Sequence, residues 1–436
     1  DKWIDEKIRI RKFKHKFRDF ITRFQSLAIF FIAKAINSDK KNAVFIQEYY
    51  PTTDLVKALQ KDSKLKVVLA HFSWSKNLLK YFFERPIPIF GDKRKFEGDA
   101  QYLISKFRRE RCTKLFLSQG QDVTEAVYKI IDDRISDRIT ETLLVLDSVI
   151  EYLDKNPINL AILIANIGQI STMVDCVCRV RSIPSYLIIN GIMSGDFLDE
   201  SKYATFINSY SRSMKEHYFK GMNNVVALGD PRMDLYINKY KPRVICKKGP
   251  TITIGTSAHS IVDLNSYLAV EFDFMYDVLT VLNTVKKQDP TIKIIIKVRS
   301  NGYRKQYQDF INEFFPNIVD EMIDSAPFHK VLEKTDFYIS LYSQTLFEAS
   351  CLGIPCLYYK NDCEIIDPPF DGSSELVTVN NPDDLLKAVN DFLLGSDRYN
   401  LFMKKDVMEK YIGFLDGKNL QRNINYVYDL LKLEVN

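Results

Sequence analysis

The stretch DFYISLYSQTLFEASCLGIPCLYY (residues 336–359) decides the fold class, because it holds a strand, a turn, a helix and a second strand in succession. We predict buried strands from Phe337 to Leu341 and over 356–359, where apolar residues follow one another without alternation. In a parallel sheet, the polar turn at 342–345 (YSQT) lies at the carboxyl end of a strand and the amino end of a helix. Free backbone N–H groups and the helix dipole favour a phosphate there, so the stretch predicts an anion-binding turn.

The same alternation of strand and helix runs through most of the chain, in two series. A length of 436 residues is too long for one ordinary hydrophobic core. Strands that alternate with helices indicate parallel sheets covered on both faces. The first series has predicted strands at 43–47, 66–70, 160–165, 185–189, 204–208 and 224–228, and helices at 55–61, 75–83, 100–109, 122–153 and 170–181. In the second series, strands 251–255 and 293–298 precede the 336–359 stretch, and the helices are 264–287, 303–315, 330–334 and 345–352.

The predicted fold class is therefore α/β, with two doubly wound Rossmann-like domains facing each other across a cleft and helical segments at both ends. The segment 241–250, rich in proline, glycine and charge, is predicted to link the two domains. Ligands of such sheets bind at the carboxyl ends of the strands. The predicted domains are a basic amphipathic helical segment (1–42), a first Rossmann-like domain (43–245), a second one (246–380) and C-terminal helices (381–436).

Composition and charge limit the classes of function. With 46% hydrophobic and 27% charged residues, the chain has the balance of a globular protein. A net charge of +5 permits anionic substrates or membrane surfaces without indicating nucleic acid. Seven cysteines form no CxxC pair and have no zinc spacing, and no apolar run reaches the ~18 residues of a membrane span. We therefore expect a protein of the reducing cytoplasm.

The first 25 residues are basic and aromatic, which allows two interpretations. One is a solvated helix with one face packed on the body of the protein. The other is a helix that lies on the anionic inner face of the cell membrane, with its basic side chains toward the lipid headgroups.

Two motifs carry a resemblance to a known group of enzymes. Residues 229–234 (GDPRMD) resemble the G-x-P-R-x-D element of bacterial GT-B-fold transferases, which include CDP-glycerol glycerophosphotransferases and capsule-type Kdo or sialic acid transferases. Residues 343–355 (SQTLFEASCLGIP) are similar to the donor motif of those enzymes, and the order of elements matches over 43–359. The resemblance implies an acceptor domain followed by a nucleotide-donor domain, and catalysis without a bound metal or other cofactor.

The resemblance implies a set of donor-binding residues. Ser343, Gln344 and Thr345 match the turn that cradles the donor phosphate, and Glu348 matches the acid that binds the ribose hydroxyls. Simple helix N-capping is the alternative for the two hydroxyl residues. Further candidates follow two other strands of the second domain, where hydroxyl, imidazole and basic groups could touch phosphate. These candidates are Gly255, Thr256, Ser257, His259, Lys297 and Arg299.

The predicted acceptor domain differs from the motifs of these transferases at one position. Asn190 stands where relatives commonly place the catalytic histidine, and an amide cannot abstract a proton. A carboxylate or another histidine within hydrogen-bond reach of the acceptor hydroxyl would serve instead. The candidates for this catalytic role are Asp196, Asp230, His71 and Glu48, each with a purely structural role as its alternative. Arg232 and Asp234 are predicted to form an internal ion pair.

The sequence therefore predicts a metal-independent glycosyltransferase that uses a nucleotide-sugar donor, with a cytidine-linked donor such as CMP-Kdo favoured by the resemblance. The acceptor would be a bacterial surface polysaccharide or a glycolipid, reached in the cytoplasm or at the inner face of the membrane. The alternatives are CDP-polyol phosphate transfer, sugar-nucleotide 2-epimerisation and a non-catalytic protein that keeps the fold.

Overall fold

A computed structural model describes residues 42–48, 52–71, 92–110, 116–118, 120–164, 169–195, 201–246, 248–256, 267–299, 304–361 and 365–432. The chain divides into two compact units. The first unit comprises Asp1–Ile188, Glu200–Phe206 and Tyr428–Asn436, and the second comprises Ile189–Asp199 and Ile207–Val427.

The first sheet has six strands in the order β2-β1-β5-β6-β7-β8. The pairs β1–β2, β1–β5, β5–β6 and β7–β8 are parallel, and Phe45 stands opposite both Val68 and Ala161. A short antiparallel hairpin, β3–β4, forms a separate sheet. The strands are β1 (Asn42–Glu48), β2 (Leu65–His71), β3 (Leu117–Ser118), β4 (Gln121–Asp122), β5 (Leu160–Ile164), β6 (Ser185–Ile188), β7 (Phe206–Asn208) and β8 (Val225–Val226).

Helices cover the strands of the first unit. They are α1 (Thr53–Gln60), a 3-10 turn (Lys93–Phe96), α2 (Glu97–Arg109), α3 (Thr124–Lys155) and α4 (Gln169–Val180). Phe45 and Leu163 from the sheet pack with Val149 of α3 and Val174 of α4 in one buried cluster. The apolar periodicity of these helices therefore faces the sheet, as their sequences predict.

The second sheet has six parallel strands in the order β11-β10-β9-β12-β13-β14. Numbered from its own first strand, that order is 3-2-1-4-5-6, the order of doubly wound nucleotide-binding sheets. The strands are β9 (Thr251–Gly255), β10 (Lys293–Lys297), β11 (Glu321–Ile323), β12 (Phe337–Ser340), β13 (Cys356–Tyr359) and β14 (Thr378–Val379).

The remaining helices either lie between the two sheets in the chain or alternate with the strands of the second sheet and follow it. They are α5 (Arg212–Glu216), α6 (Met233–Asn238), α7 (Tyr267–Gln288), α8 (Arg304–Phe314), α9 (Phe328–Leu332), α10 (Thr345–Cys351), α11 (Pro382–Leu393), a 3-10 turn (Asp397–Tyr399), α12 (Lys405–Ile412) and α13 (Asn419–Leu431). Ile254 and Ile339 at the centre of the sheet pack with Phe274 of α7 and Val389 of α11 in one large buried cluster.

The predicted linker is anchored to the second sheet. The Asp336 carboxylate, only 1% exposed, accepts hydrogen bonds from the backbone N–H groups of Cys246 and Thr251, each at 2.9 Å. It also accepts one from Arg243 Nη2 at 2.9 Å. Asp336 directly precedes β12, so a single buried carboxylate fixes the entry into β9 beside the start of β12.

The predicted fold class of two doubly wound parallel sheets is confirmed. Four short strands, β3, β4, β11 and β14, are missing from the sequence prediction, because two or three residues carry too little apolar pattern to be recognised. The predicted helix at 330–334 begins earlier, at Phe328, directly after Pro327. The predicted N-terminal helical segment up to residue 41 and the helix at 75–83 lie outside the described residues. Among the described helices, none is both long enough and apolar enough to cross a membrane.

Candidate functional site

The order of strands in the second sheet reverses at β9. The chain builds β9, β10 and β11 outward on one side and then crosses to the other side for β12, β13 and β14. Gly255 at the end of β9 pairs in register with Lys297 of β10 and with Ser340 of β12. Ligands of open parallel sheets bind outside the carboxyl ends of the strands at such a switch point. The carboxyl ends of β9 and β12 therefore border the expected ligand crevice.

A buried tyrosine explains why glycine stands at the end of β9. A β-carbon on Gly255 would lie 1.8 Å from the hydroxyl oxygen of Tyr338. That hydroxyl is hydrogen-bonded with Thr345 Oγ1 at 2.7 Å, and Thr345 Oγ1 with Ser343 Oγ at 2.7 Å. The space beside Gly255 is therefore filled by a side chain that supports the turn after β12.

The turn at 342–345 is not explained by helix capping. Gln344 occupies the N-cap position of α10, but its side chain makes no capping hydrogen bond. Thr345 N donates to Ser343 Oγ at 3.3 Å, which is long for such a bond. The hydroxyl groups of Ser343 and Thr345 bond to each other, so N-capping accounts for little of this geometry.

Asp230, Arg232 and Gln344 form a closed triad of side chains. Arg232 Nε donates to both oxygens of Asp230 at 3.0 Å, and its Nη2 lies 2.8 Å from Asp230 Oδ2. Arg232 Nη2 also donates to Gln344 Oε1 at 2.8 Å, while Gln344 Nε2 donates to Asp230 Oδ2 at 2.6 Å. Burial alone would lower the pKa of Arg232, but the Asp230 carboxylate raises it, so the guanidinium stays charged.

The triad assigns a structural position to Asp230, one of the predicted catalytic carboxylates. Its side chain is fully buried, and both of its oxygens accept hydrogen bonds from the neighbouring residues. A general base needs an oxygen within reach of the acceptor hydroxyl. The geometry therefore favours an anion that locks Arg232 and Gln344 together.

Glu348 lies one helical turn after Gln344 and is 8% exposed. The Tyr236 hydroxyl donates a hydrogen bond to Glu348 Oε2. Burial raises the pKa of Glu348 to about 7, although the Tyr236 hydroxyl and the Arg232 charge act in the opposite direction. The predicted ribose-binding acid is thus a buried carboxyl group that titrates near neutrality.

The loop after β6, where the sequence predicts acceptor chemistry, lies against the turn after β12. Tyr342 donates from its hydroxyl to the carbonyl of Ile192. Gly195 forms an antiparallel bridge with Ile365, and Ser194 Oγ donates to the carbonyl of Asp367. The loop at 189–195 and the turn at 342–345 are therefore neighbours within the second unit. Asn190 is exposed in this loop, and the predicted Asp196 lies outside the described residues.

Lys297 and Arg299 differ in their surroundings. Lys297 Nζ donates to the carbonyls of Val298 at 2.8 Å and Asp324 at 3.1 Å, and desolvation lowers the pKa of this lysine. Arg299 is exposed, and its backbone N–H donates to Thr256 Oγ1 at 3.2 Å. Of the two predicted basic groups, Arg299 is the one whose side chain faces solvent at the strand end.

Two of the predicted catalytic residues end neighbouring strands of the first sheet. Glu48 and His71 end β1 and β2 and are partners in register, so their backbones meet at one edge of the first sheet. Their side chains, like Ser257 and His259, lie outside what the structure describes. Within the described ranges, no three His, Cys, Asp or Glu side chains come together as a metal site.

The predicted ion pair between Arg232 and Asp234 is wrong. Asp234 does not pair with Arg232, because its carboxylate accepts hydrogen bonds from the backbone N–H groups of Asn419 and Leu420 at the start of α13.

Tyr236 is a residue of the site that the sequence analysis does not predict. Its position two residues after the GDPRMD motif was the only available signal, since its partner Glu348 is 112 residues away.

Comparisons with known proteins add to the description of the fold. No protein family and no curated protein matches the chain by its sequence. A solved structure from Listeria monocytogenes, described as a UDP-N-acetylglucosamine 2-epimerase, is similar with a TM-score of 0.56 and 14% identity over 90% of this chain and 97% of that one. The UDP-GlcNAc 2-epimerase of Neisseria meningitidis, bound to UDP-GlcNAc, has a TM-score of 0.53 and 12% identity over 89% of this chain and 98% of that one.

A glycosyltransferase is among the similar structures as well. CalG4, the calicheamicin glycosyltransferase, matches with a TM-score of 0.51 and 11% identity over 90% of this chain and 99% of its own. These neighbours share the GT-B fold. Identities this low establish the fold alone, and the chain has the GT-B fold class.

Proposed function

We propose that this protein is a glycosyltransferase that moves a sugar from a nucleotide-activated donor to a surface-polysaccharide or lipid-linked acceptor. The observation that carries the proposal is the 3-2-1-4-5-6 strand order of the second sheet. Its switch point lies between β9 and β12, and the sequence motif that resembles a donor site directly follows β12. Topology and sequence thus point independently to the same loops.

In this proposal the nucleotide donor binds at the carboxyl edge of the second sheet. The turn at 343–345 and the exposed Arg299 bind the donor phosphate, and Glu348 accepts a hydrogen bond from the ribose. Positive charge and backbone N–H groups at this edge stabilise the negative charge that develops on the leaving nucleotide. No metal or other cofactor takes part in the proposed reaction.

The acceptor hydroxyl must lose a proton during transfer. The burial of Asp230 in its triad with Arg232 and Gln344 speaks against it as the base. Asp196, Glu48 and His71 are the remaining candidates for this role. The proposed acceptor is reached in the cytoplasm or at the inner face of the membrane, to which the basic segment of the first 25 residues would bind.

The proposal about the base of the donor nucleotide is supported by the motifs of this chain. The resemblance of 229–234 and 343–355 to Kdo and sialic acid transferases favours a cytidine-linked donor such as CMP-Kdo. UDP-GlcNAc, bound in a structure of similar fold, is the competing donor.

A thermal-shift screen against CMP, CDP, UDP and GDP tests the proposal. A nucleotide that binds only the folded protein raises its melting temperature, and we expect the largest rise with CMP. Glu348→Ala should weaken this effect, whereas Glu313→Ala, on the exposed surface of α8, should not. If none of the four nucleotides stabilises the protein, the proposal fails. A clear preference for UDP would replace the cytidine donor.

A sugar-nucleotide 2-epimerase is the second candidate, favoured by the similar solved structures. An epimerase needs no acceptor, so incubation with UDP-GlcNAc alone distinguishes the two activities. Formation of the 2-epimer, followed by NMR spectroscopy, would identify an epimerase. Donor consumption that depends on an added glycan acceptor would identify the transferase, and nucleotide binding without any turnover would indicate a non-catalytic protein.

A further inference from the structure

Two residues on one face of α10 are held by the same short segment, residues 229–236. Gln344 belongs to the triad with Asp230 and Arg232. Glu348 follows four residues later, its backbone N–H donates to the Gln344 carbonyl at 3.3 Å, and its side chain accepts from Tyr236. Positions four residues apart lie on the same side of a helix. Side chains of the segment 229–236 therefore bind both Gln344, at the N-cap of α10, and Glu348, one turn further along the same face.

Neighbouring aromatic rings hold the ring of Tyr236 in place. Tyr236 is 5% exposed, and its ring packs edge-on against Tyr240 with 5.2 Å between the ring centroids. Tyr240 in turn stacks on His329 at 4.2 Å. A tyrosine side chain has few rotatable bonds, so a packed ring fixes where its hydroxyl points. The hydroxyl is thus a fixed donor for Glu348 Oε2.

We propose that Tyr236 is a positioning residue of the donor site, whose hydroxyl fixes Oε2 of Glu348 so that Oε1 accepts a hydrogen bond from a ribose hydroxyl. The inference rests on the proposed function and adds to it a residue outside both sequence motifs. Tyr236 bonds to Oε2 of Glu348, and the proposal assigns the other oxygen, Oε1, to the ligand. A carboxyl group held in one orientation loses less conformational freedom when the ligand binds.

Titration calorimetry with ribonucleotides and their 2′,3′-dideoxy forms tests this role. The probes are CMP and UDP, together with the dideoxy form of each, and the proteins are the wild type and Tyr236→Phe. At pH 8, where most of the Glu348 carboxyl group is ionised, loss of one hydrogen bond to this charged group should weaken ribonucleotide binding about tenfold. The dideoxy forms have no ribose hydroxyl for Glu348, so their affinity should be the same for both proteins.

Tyr411→Phe is a matched control. The Tyr411 hydroxyl donates to Glu375 Oε2 at 2.5 Å, and Tyr411 is 8% exposed. The substitution thus removes the same kind of bond, from a tyrosine to a glutamate, at another place in the second unit. It should leave all nucleotide affinities unchanged. Circular dichroism and melting temperatures show whether each variant is folded.

A double-mutant cycle separates positioning from packing. If Tyr236 acts through Glu348, then Tyr236→Phe should cause no further loss of affinity in a Glu348→Ala background. The inference is overturned if Tyr236→Phe leaves ribonucleotide binding unchanged, or if it weakens the dideoxy forms equally. Failure of the wild-type protein to bind any nucleotide would instead overturn the proposed function, and the inference with it.

Discussion

Folding buries the carboxyl group of Glu348. This burial should make the free energy of unfolding depend on pH. In the folded protein burial raises its pKa to about 7, from 4.5 for an exposed glutamate. The folded state therefore holds the proton more tightly than the unfolded state does. The contribution of this proton to the free energy of unfolding is fully present below about pH 4.5 and is lost as the pH rises through 7.

We expect Glu348→Gln to abolish this dependence on pH. The amide keeps the size of the side chain and an oxygen for the Tyr236 hydroxyl, but it cannot ionise. The wild type should therefore lose up to about 3 kcal/mol of unfolding free energy, relative to the variant, between pH 4.5 and 8. Urea denaturation of both proteins across this range measures the difference. A constant difference between the two proteins would show that Glu348 does not titrate near neutrality.

At the scale of the element, the segment 229–236 and helix α10 depend on a buried ion pair. Asp230→Ala would leave the Arg232 guanidinium without its counter-charge in a site where only 11% of its side chain is exposed. Breaking such a pair from one side costs roughly 3–5 kcal/mol. We expect the free energy of unfolding to fall by this amount, as measured by urea denaturation.

Glu333→Ala provides the comparison for Asp230→Ala. Glu333 pairs with Lys330 at 2.6 Å, but both side chains are more than half exposed, so its loss should cost less than about 1 kcal/mol. If Asp230→Ala abolishes sugar transfer and leaves stability unchanged, Asp230 is a catalytic carboxylate and its structural assignment is incorrect.

The local pattern of the chain predicts the elements of the site better than their partners. The strand, turn and helix at 336–359 follow from apolar runs and polar punctuation that span a few residues. Gln344 is recognisable as a turn residue, but its partner Asp230 lies 114 residues away. Such pairs form only when folding brings together segments that lie far apart in the sequence. The same reason hides Tyr338, which fills the space beside Gly255.

At the scale of the whole molecule, the alternation of strands and helices suffices to predict two doubly wound sheets. It does not predict the short edge strands β11 and β14, whose pairing with β10 and β13 depends on neighbours already in place. The strand order of each sheet also lies beyond the pattern, since periodicity identifies strands without stating which of them are adjacent. That order is what locates the switch point at β9 and β12.

The division into two compact units leads to a prediction about where a nucleotide protects the chain. Ligand binding stabilises the structure that contains the site, by about 2.7 kcal/mol at a concentration of 100 Kd. Hydrogen exchange should therefore slow in peptides that cover 251–256 and 337–348, next to the proposed donor site, when CMP or UDP is added. Peptides that cover β1 and β2 in the first unit serve as the internal control and should exchange at an unchanged rate. Mass spectrometry at matched exchange times measures both sets, and protection confined to β1 and β2 would move the nucleotide site to the first sheet.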